Sequence, residues 1–438
     1  MPRRTPAPAL LSLSFVLVAS TGCVPFIGRR SARPGEPTAR VVSFRGWRGC
    51  VRLDNGLVRA TSVPQIGGRT LDYSLEGYNP LFIGRSELGA VVDDRRPYRH
   101  FGGHFVQLHP EDQWRRLQAV YPASLFMGRY EARIVDGADG AAAVEMASPL
   151  DPATATQVVR RIELFPNSTR LRITDTLTNL RPVAQRWGLH DFLQLKGVSE
   201  PSGVLRGDEQ ARGDIRLYVP LNPKSRHRGG VAFAVAPADD DPQWSTSLLP
   251  GLLVLRYRGR LGKALVDPVL PWVAFADHAT GHVFVQRCAA PGKAVMAAGG
   301  GYPLIEVQSF APASELAPGG TAVLEQEWFV ARCPGPVVDV TDVGVVCSPL
   351  TLLRGDDGVW AAGTFGVFYL GGASLVLRDA KGGELARFDC GLVHPSRVLK
   401  LNQRITLPAG TAEAVLEVRS LAGKPVGHLG RILLGGAP

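Results

Sequence analysis

Residues 158–180 read VVRRIELFPNSTRLRITDTLTNL. Ile162 and Leu164 alternate with Arg161 and Glu163. After Pro166-Asn167-Ser168, Leu171, Ile173, Asp175 and Leu177 alternate with Arg172, Thr174 and Thr176. A period of two sends successive side chains to opposite faces of a strand. Two such runs around a turn predict a hairpin with one mostly apolar face and one polar face, as a sheet with one wet side requires. Asn167-Ser168-Thr169 also matches a glycosylation sequon, but a plain turn accounts for it.

Outward from this hairpin the same rhythm persists. From Val41 onward, runs of four to nine β-branched and aromatic residues are separated by Gly, Pro, Asn or Asp turns, which predicts an all-β protein. The 438 residues include 50 glycines and 34 prolines, in keeping with a turn-rich chain. Hydrophobic residues make up 45% and charged residues 20%, which excludes a mainly disordered chain and a polytopic membrane protein. Long amphipathic helical patterns are nearly absent, so helix bundles and doubly wound nucleotide folds fall away. Residues 85–96 and 111–120 suit only a helical turn or a short helix. The net charge of +10 is spread along the chain, without a basic stripe or an aromatic RNA-binding signature, which argues against a nucleic-acid partner.

The N-terminus reads as an export signal. Arg3 and Arg4 form a short positive region and Leu10 to Val18 an apolar one, too short to span a bilayer comfortably. Ser20-Thr21-Gly22-Cys23 resembles the bacterial lipobox, with Ser20 where leucine is usual, so Cys23 is the expected lipidation site. Residues 1–23 are thus a lipoprotein signal and residues 24–40 a flexible tether, which puts the protein in the cell envelope, lipid-anchored and facing the periplasm or the exterior. Export permits disulfides among Cys50, Cys288, Cys333, Cys347 and Cys390, with connectivity open; Cys333 with Cys347, flanking a domain junction, is one option.

That junction is Cys333-Pro334-Gly335-Pro336. Beyond it, short strands spaced by Gly-rich turns predict a small β-sandwich over residues 338–438, an accessory module with few candidate catalytic groups. The larger domain covers residues 41–332.

Four ordered motifs in this larger domain carry a resemblance. Asn55-Gly56-Leu57-Val58 leads into Pro64-Gln65-Ile66-Gly67-Gly68-Arg69. Phe101-Gly102-Gly103 is followed by Pro110 and Trp114. Trp187-Gly188-Leu189-His190-Asp191-Phe192-Leu193-Gln194-Leu195 is similar to an "H.YFNL" strand. Glu306-Val307-Gln308-Ser309 precedes Leu316-Ala317-Pro318-Gly319-Gly320 and Trp328. In this order they resemble the galactose mutarotase-like (aldose 1-epimerase-like) superfamily, nearest to an uncharacterised bacterial family of mutarotase-like lipoproteins, over Val51 to Arg332. The resemblance implies a large antiparallel β-supersandwich with a concave sugar-binding face, followed here by the small C-terminal β-sandwich.

It also implies roles. The histidine of the "H.YFNL" strand is the family's general acid and a late glutamate its general base, which are His190 and Glu306 in this chain. Opening a cyclic hemiacetal takes one proton from O1 and delivers one to the ring oxygen, so an acid and a base near ~6.5 and ~4.3 suit the exchange. No metal or other cofactor is needed. The family's second histidine, in an "HGG" segment, is replaced by Phe101, with His100 and His104 alongside. Its substrate arginine has no clear counterpart, and Arg69, Arg95, Arg96 and Arg99 are candidates. Arg69, His100, His104, Trp114 and Trp187 are therefore the expected substrate-binding set, with core packing the plainer role for Trp187. His100, His104 and His109 with Glu111 and Asp112 match no metal signature, because Gly102 and Gly103 break any helix that would align them. The departures favour a carbohydrate-binding lipoprotein without turnover. An aldose 1-epimerase is the alternative, and a non-catalytic envelope scaffold the third reading.

Overall fold

The computed structural model describes residues 36–93, 98–116, 123–206, 210–236, 241–298, 301–356 and 358–434. Cys23, Arg95 and Arg96 lie outside these residues, as do the signal and most of the tether. All described residues belong to one compact unit, Ala32–Pro438. Among them, no helix is long and apolar enough to cross a membrane.

The fold class is the expected one, two large antiparallel sheets followed by a small β-sandwich. The hairpin forms from Thr156–Leu164 and Leu171–Asn179, with Leu164 opposite Leu171 and Ile162 opposite Ile173. It sits inside a ten-stranded sheet, beside Ala142–Ala147 on one flank and Thr321–Arg332 on the other. The second large sheet has Gly103–His109, Gln185–Lys196, Leu304–Phe310, Gly292–Ala297 and Gly262–Val266 as consecutive neighbours. The two sheets meet in a core to which Ile162, Ile173, Phe275 and Trp328 contribute from one side and Tyr73, Leu193, Ile305 and Val307 from the other.

The apolar face of the hairpin contains polar exceptions. Arg160 and Asp175 stand opposite each other in register, both fully buried, and Arg160 Nε donates to Asp175 Oδ1 at 2.8 Å. Arg160 also reaches across to the other sheet, through Nη2 to His104 Nδ1 at 2.7 Å and Nη1 to the Gly68 carbonyl at 2.9 Å. His104 Nε2 meets Asp191, and Gln286 and Gln326 donate to the same carboxylate at 3.0 and 2.7 Å. Burial alone would raise the Asp191 carboxyl, but His104 and the glutamines outweigh it and hold it below its ordinary value. This polar layer joins the sheets and satisfies charges that hydrocarbon could not accept.

Gly102 and Gly103 have a backbone reason. Both have positive φ, and an added Cβ would stand 2.1 Å from the Phe82 carbonyl oxygen and 2.3 Å from that of Thr70. The chain must pass this close for the strand that follows to enter the sheet, which a side chain would prevent.

The C-terminal sandwich packs two four-stranded sheets around Val343, Phe365, Leu375, Leu377, Leu416 and Val418. It is joined to the larger domain by an apolar cluster shared by both, with Val254, Trp272 and Val285 on one side and Val340, Val345 and Phe368 on the other. Phe329 and Phe368 stack at 4.6 Å. Cys333 and Cys347 form a disulfide across the same junction.

Candidate ligand cleft

Strand alternation decides which side chains meet. On Gln185–Lys196, Leu189, Asp191 and Leu193 turn toward the other sheet, leaving His190, Phe192 and Gln194 on the outer face. Register puts Gln194 opposite Glu306, Phe192 opposite Gln308 and His190 opposite Phe310. On the other flank Phe192 is opposite Phe105 and His190 opposite Gln107. The outer face thus carries a continuous patch of aromatic and amide groups around one carboxylate.

Over part of this patch lies an open cleft of about 350 Å³, within the size range of small-ligand sites. Its walls are Tyr98, Phe105, Phe126, Phe192 and Tyr302, with His100, Met296, Ala298 and Leu304 completing them, and its polar groups are Gln107, Gln194 and Glu306. Gln194 Nε2 donates to Glu306 Oε2 at 2.7 Å. Gln308 Nε2 donates to Oε1, and Lys263 Nζ donates to Gln308 Oε1 at 3.1 Å. Burial pushes the Glu306 carboxyl above its ordinary value, while the two amides, Lys263 and Arg69 pull back. A carboxylate offers about four acceptor positions, so lone pairs remain for a ligand's donors after both amides are satisfied.

His190 lies on the same outer face but does not line this cleft. Its ring is packed against Phe192 at 4.0 Å and Phe310 at 4.2 Å between centroids, and it is 2% exposed. Neither ring nitrogen makes a hydrogen bond of normal geometry among the described residues, and the Gln308 side chain acts on the ring only weakly. Burial, reinforced by nearby His109 and Lys263, lowers its pKa to about 3, so the ring is neutral at pH 7. Its partner Phe310 is four positions along the strand from Glu306, roughly 13 Å at ~3.3 Å per residue. The expected convergence of these two groups on one pocket is corrected accordingly: they share a sheet face, with Phe192 between His190 and the cleft.

The other expected binding residues separate. His100 is at the rim, its ring 5.0 Å from that of Tyr302, with its pKa lowered by burial and by Arg69. Arg69 is buried behind the wall, with Cζ 3.7 Å over the Phe105 ring and Nη1 donating to the Gly102 carbonyl at 2.9 Å. Burial lowers it to about 9, and Nε has no hydrogen-bond partner among the described residues. It supports Phe105 rather than lining the cleft. Arg99 is committed to Glu87 at 2.8 Å.

His104 does not bind ligand from this cleft, because it turns inward to the polar layer with Asp191 and Arg160. Trp187 also turns inward, into a cluster with Val106, Leu108, Val158 and Leu177, and its Nε1 donates to Gln185 Oε1 at 3.2 Å. Trp114 falls on the short helix Glu111–Arg116, and its side chain lies outside the described residues. Among the described residues no group of three His, Cys, Asp or Glu side chains is arranged to hold a metal.

Sequence reasoning missed Phe105, Phe192, Gln194 and Gln308. Period-two spacing from His190 and Glu306 was the available signal: His190, Phe192 and Gln194 form one series, Glu306 and Gln308 another.

Fold and cleft together describe a two-sheet β protein with an open cleft on the outer face of one sheet. No family model matches the chain, and no curated protein matches its sequence. Solved structures do resemble it. A galactose mutarotase-like protein from Clostridium acetobutylicum is 10% identical, with a TM-score of 0.46, covering 68% of this chain and 99% of that one. A putative aldose 1-epimerase from Klebsiella pneumoniae is 11% identical, with a TM-score of 0.45 and coverage of 68% and 84%. A galactose mutarotase-like protein from Lactobacillus casei is 15% identical, with a TM-score of 0.44 and coverage of 64% and 100%.

Proposed function

We propose that this protein binds a carbohydrate in the Glu306 cleft, without turnover, as an exported lipoprotein of the cell envelope anchored through Cys23. The observation that carries the binding is Glu306 itself, a buried carboxylate held by two amides and flanked by aromatic rings. A pyranose has apolar C–H faces and an equatorial rim of hydroxyls. Rings such as Phe105, Phe192 and Tyr302 suit the faces, while Glu306, Gln107 and Gln194 suit the rim. The Cys333–Cys347 disulfide favours an oxidising compartment, in line with export.

Binding is preferred to epimerisation because His190, neutral and covered by Phe192, has no path to a ring oxygen beside Glu306. Calorimetry with glucose, galactose and mannose tests the reading. At least one sugar is expected to bind the soluble protein and to lose ten-fold or more in affinity in Glu306→Gln. No binding by a panel of common hexoses, or binding unchanged in that variant, would overturn it. Polarimetry of freshly dissolved α-glucose in the same samples should show relaxation at the buffer rate.

A further inference from the structure

His190 presents an imbalance that the cleft alone does not resolve. An imidazole carries two nitrogens that seek partners, and leaving a polar group buried and unpaired is costly. Here neither nitrogen makes a hydrogen bond of normal geometry at 2% exposure, packed against two phenyl rings, and the Gln308 amide that acts weakly on the ring is already committed to Glu306 and Lys263. Of these rings, Phe192 belongs to the cleft wall. It stacks parallel on Phe105 at 4.9 Å, is 8% exposed, and borders the open cleft. Beyond it, His109 and Phe310 continue the outer face, their rings 5.5 Å apart.

We infer that Phe192 is a gate between the cleft and His190, an unmet hydrogen-bonding group packed behind it, and that the ligand is a saccharide of at least two rings. The inference rests on the cleft being a carbohydrate site. One ring occupies the space beside Glu306. A second, displacing Phe192, brings hydroxyls to His190, which lies too far along the strand for the first ring to reach. Turning Phe192 aside costs its stacking on Phe105, and hydrogen bonds to the two imidazole nitrogens offset that loss. Phe192 therefore sets how many sugar units the site accepts.

Acylation by diethyl pyrocarbonate, which attacks accessible unprotonated imidazole, tests the gate without any sugar. By mass spectrometry, His190 in the wild type is expected to react at least ten-fold more slowly than the exposed His428. In Phe192→Ala its rate should approach that of His428, while Phe192→Leu should stay near the wild type. A folded Phe192→Ala protein in which His190 is as protected as before overturns the gate. If Phe192→Ala does not fold, the wild type decides. Acylation of His190 that is flat with urea below the unfolding transition supports local opening, and acylation that only follows global unfolding refutes it. Calorimetry tests the ligand: Phe192→Ala should raise affinity for maltose relative to glucose five-fold or more, and an equal loss for both refutes the two-ring site. If none of glucose, galactose, mannose and maltose binds the wild type, the carbohydrate reading fails, and the acylation result still decides the gate.

Discussion

Gln194 stands directly opposite Glu306 on the neighbouring strand and donates Nε2 to its Oε2 at 2.7 Å. The pairing is set by sheet register, so the carboxylate is oriented before any ligand arrives. Such a fixed acceptor lowers the ordering cost of binding. Replacing Gln194 by Leu removes a hydrogen bond to a buried charged group and should cost about 1.5–3 kcal/mol of stability. It should also raise the Glu306 pKa further. Urea denaturation measures the first effect, and the pH dependence of sugar affinity the second, with the affinity midpoint moving upward.

The polar layer between the sheets predicts a second asymmetry. Arg160→Met leaves Asp175 and the His104–Asp191 pair without their cation, and should destabilise by about 3–5 kcal/mol. Arg160→Met combined with Asp175→Leu should recover much of that loss, because no isolated charge then remains. A double-mutant cycle by chemical denaturation checks the sign. Additive losses would mean that the two side chains act independently.

Lys196 predicts a rise of stability with pH. Its ammonium is fully buried, lies 3.6 Å over the Tyr78 ring and donates to the Glu200 carbonyl. Burial lowers its pKa to about 7, against the opposing pull of Asp277 and Glu200. The folded pKa lies below the unfolded value near ~10.4, so between these limits the unfolded chain binds more protons. Stability therefore climbs from pH 7 toward pH 10, by at most about 1.4 kcal/mol per unit from this group. Lys196→Met should flatten that slope in denaturation curves at pH 7, 8 and 9.

Reduction of the Cys333–Cys347 bridge should destabilise the domain junction. The cysteines are 14 positions apart, and closing a loop of this size stabilises by about 3 kcal/mol in the chain-entropy view. Cys333→Ala/Cys347→Ala should lower the urea midpoint by a matching amount. The same variant should leave sugar affinity unchanged, since neither cysteine lines the cleft.

The hairpin at 158–180 was legible because alternation is a local property: Ile162, Leu164, Leu171 and Ile173 declare a buried face whatever they pack against. The four motifs likewise pointed to two large sheets and to the strands bearing His190 and Glu306. What alternation could not reveal was the direction of each series. A shift of one position exchanges the faces of a strand. His104 is adjacent to Phe105, yet the first is sealed between sheets and the second lines the cleft. Asp175, sitting among apolar neighbours, made sense only once Arg160 was seen opposite.

The sequence by itself determined that this is a β protein and that the hairpin strands run on either side of Pro166-Asn167-Ser168, since both follow from residue type and spacing along the chain. The choice of Glu306 came instead from the resemblance carried by the four motifs. Only the tertiary structure decided that Gln194 faces Glu306, that Phe192 covers His190, and that His104 and Trp187 are structural. Those relations depend on register between strands far apart in the chain and on which face of each sheet is covered. Packing of the two sheets selects both, and no local pattern encodes either.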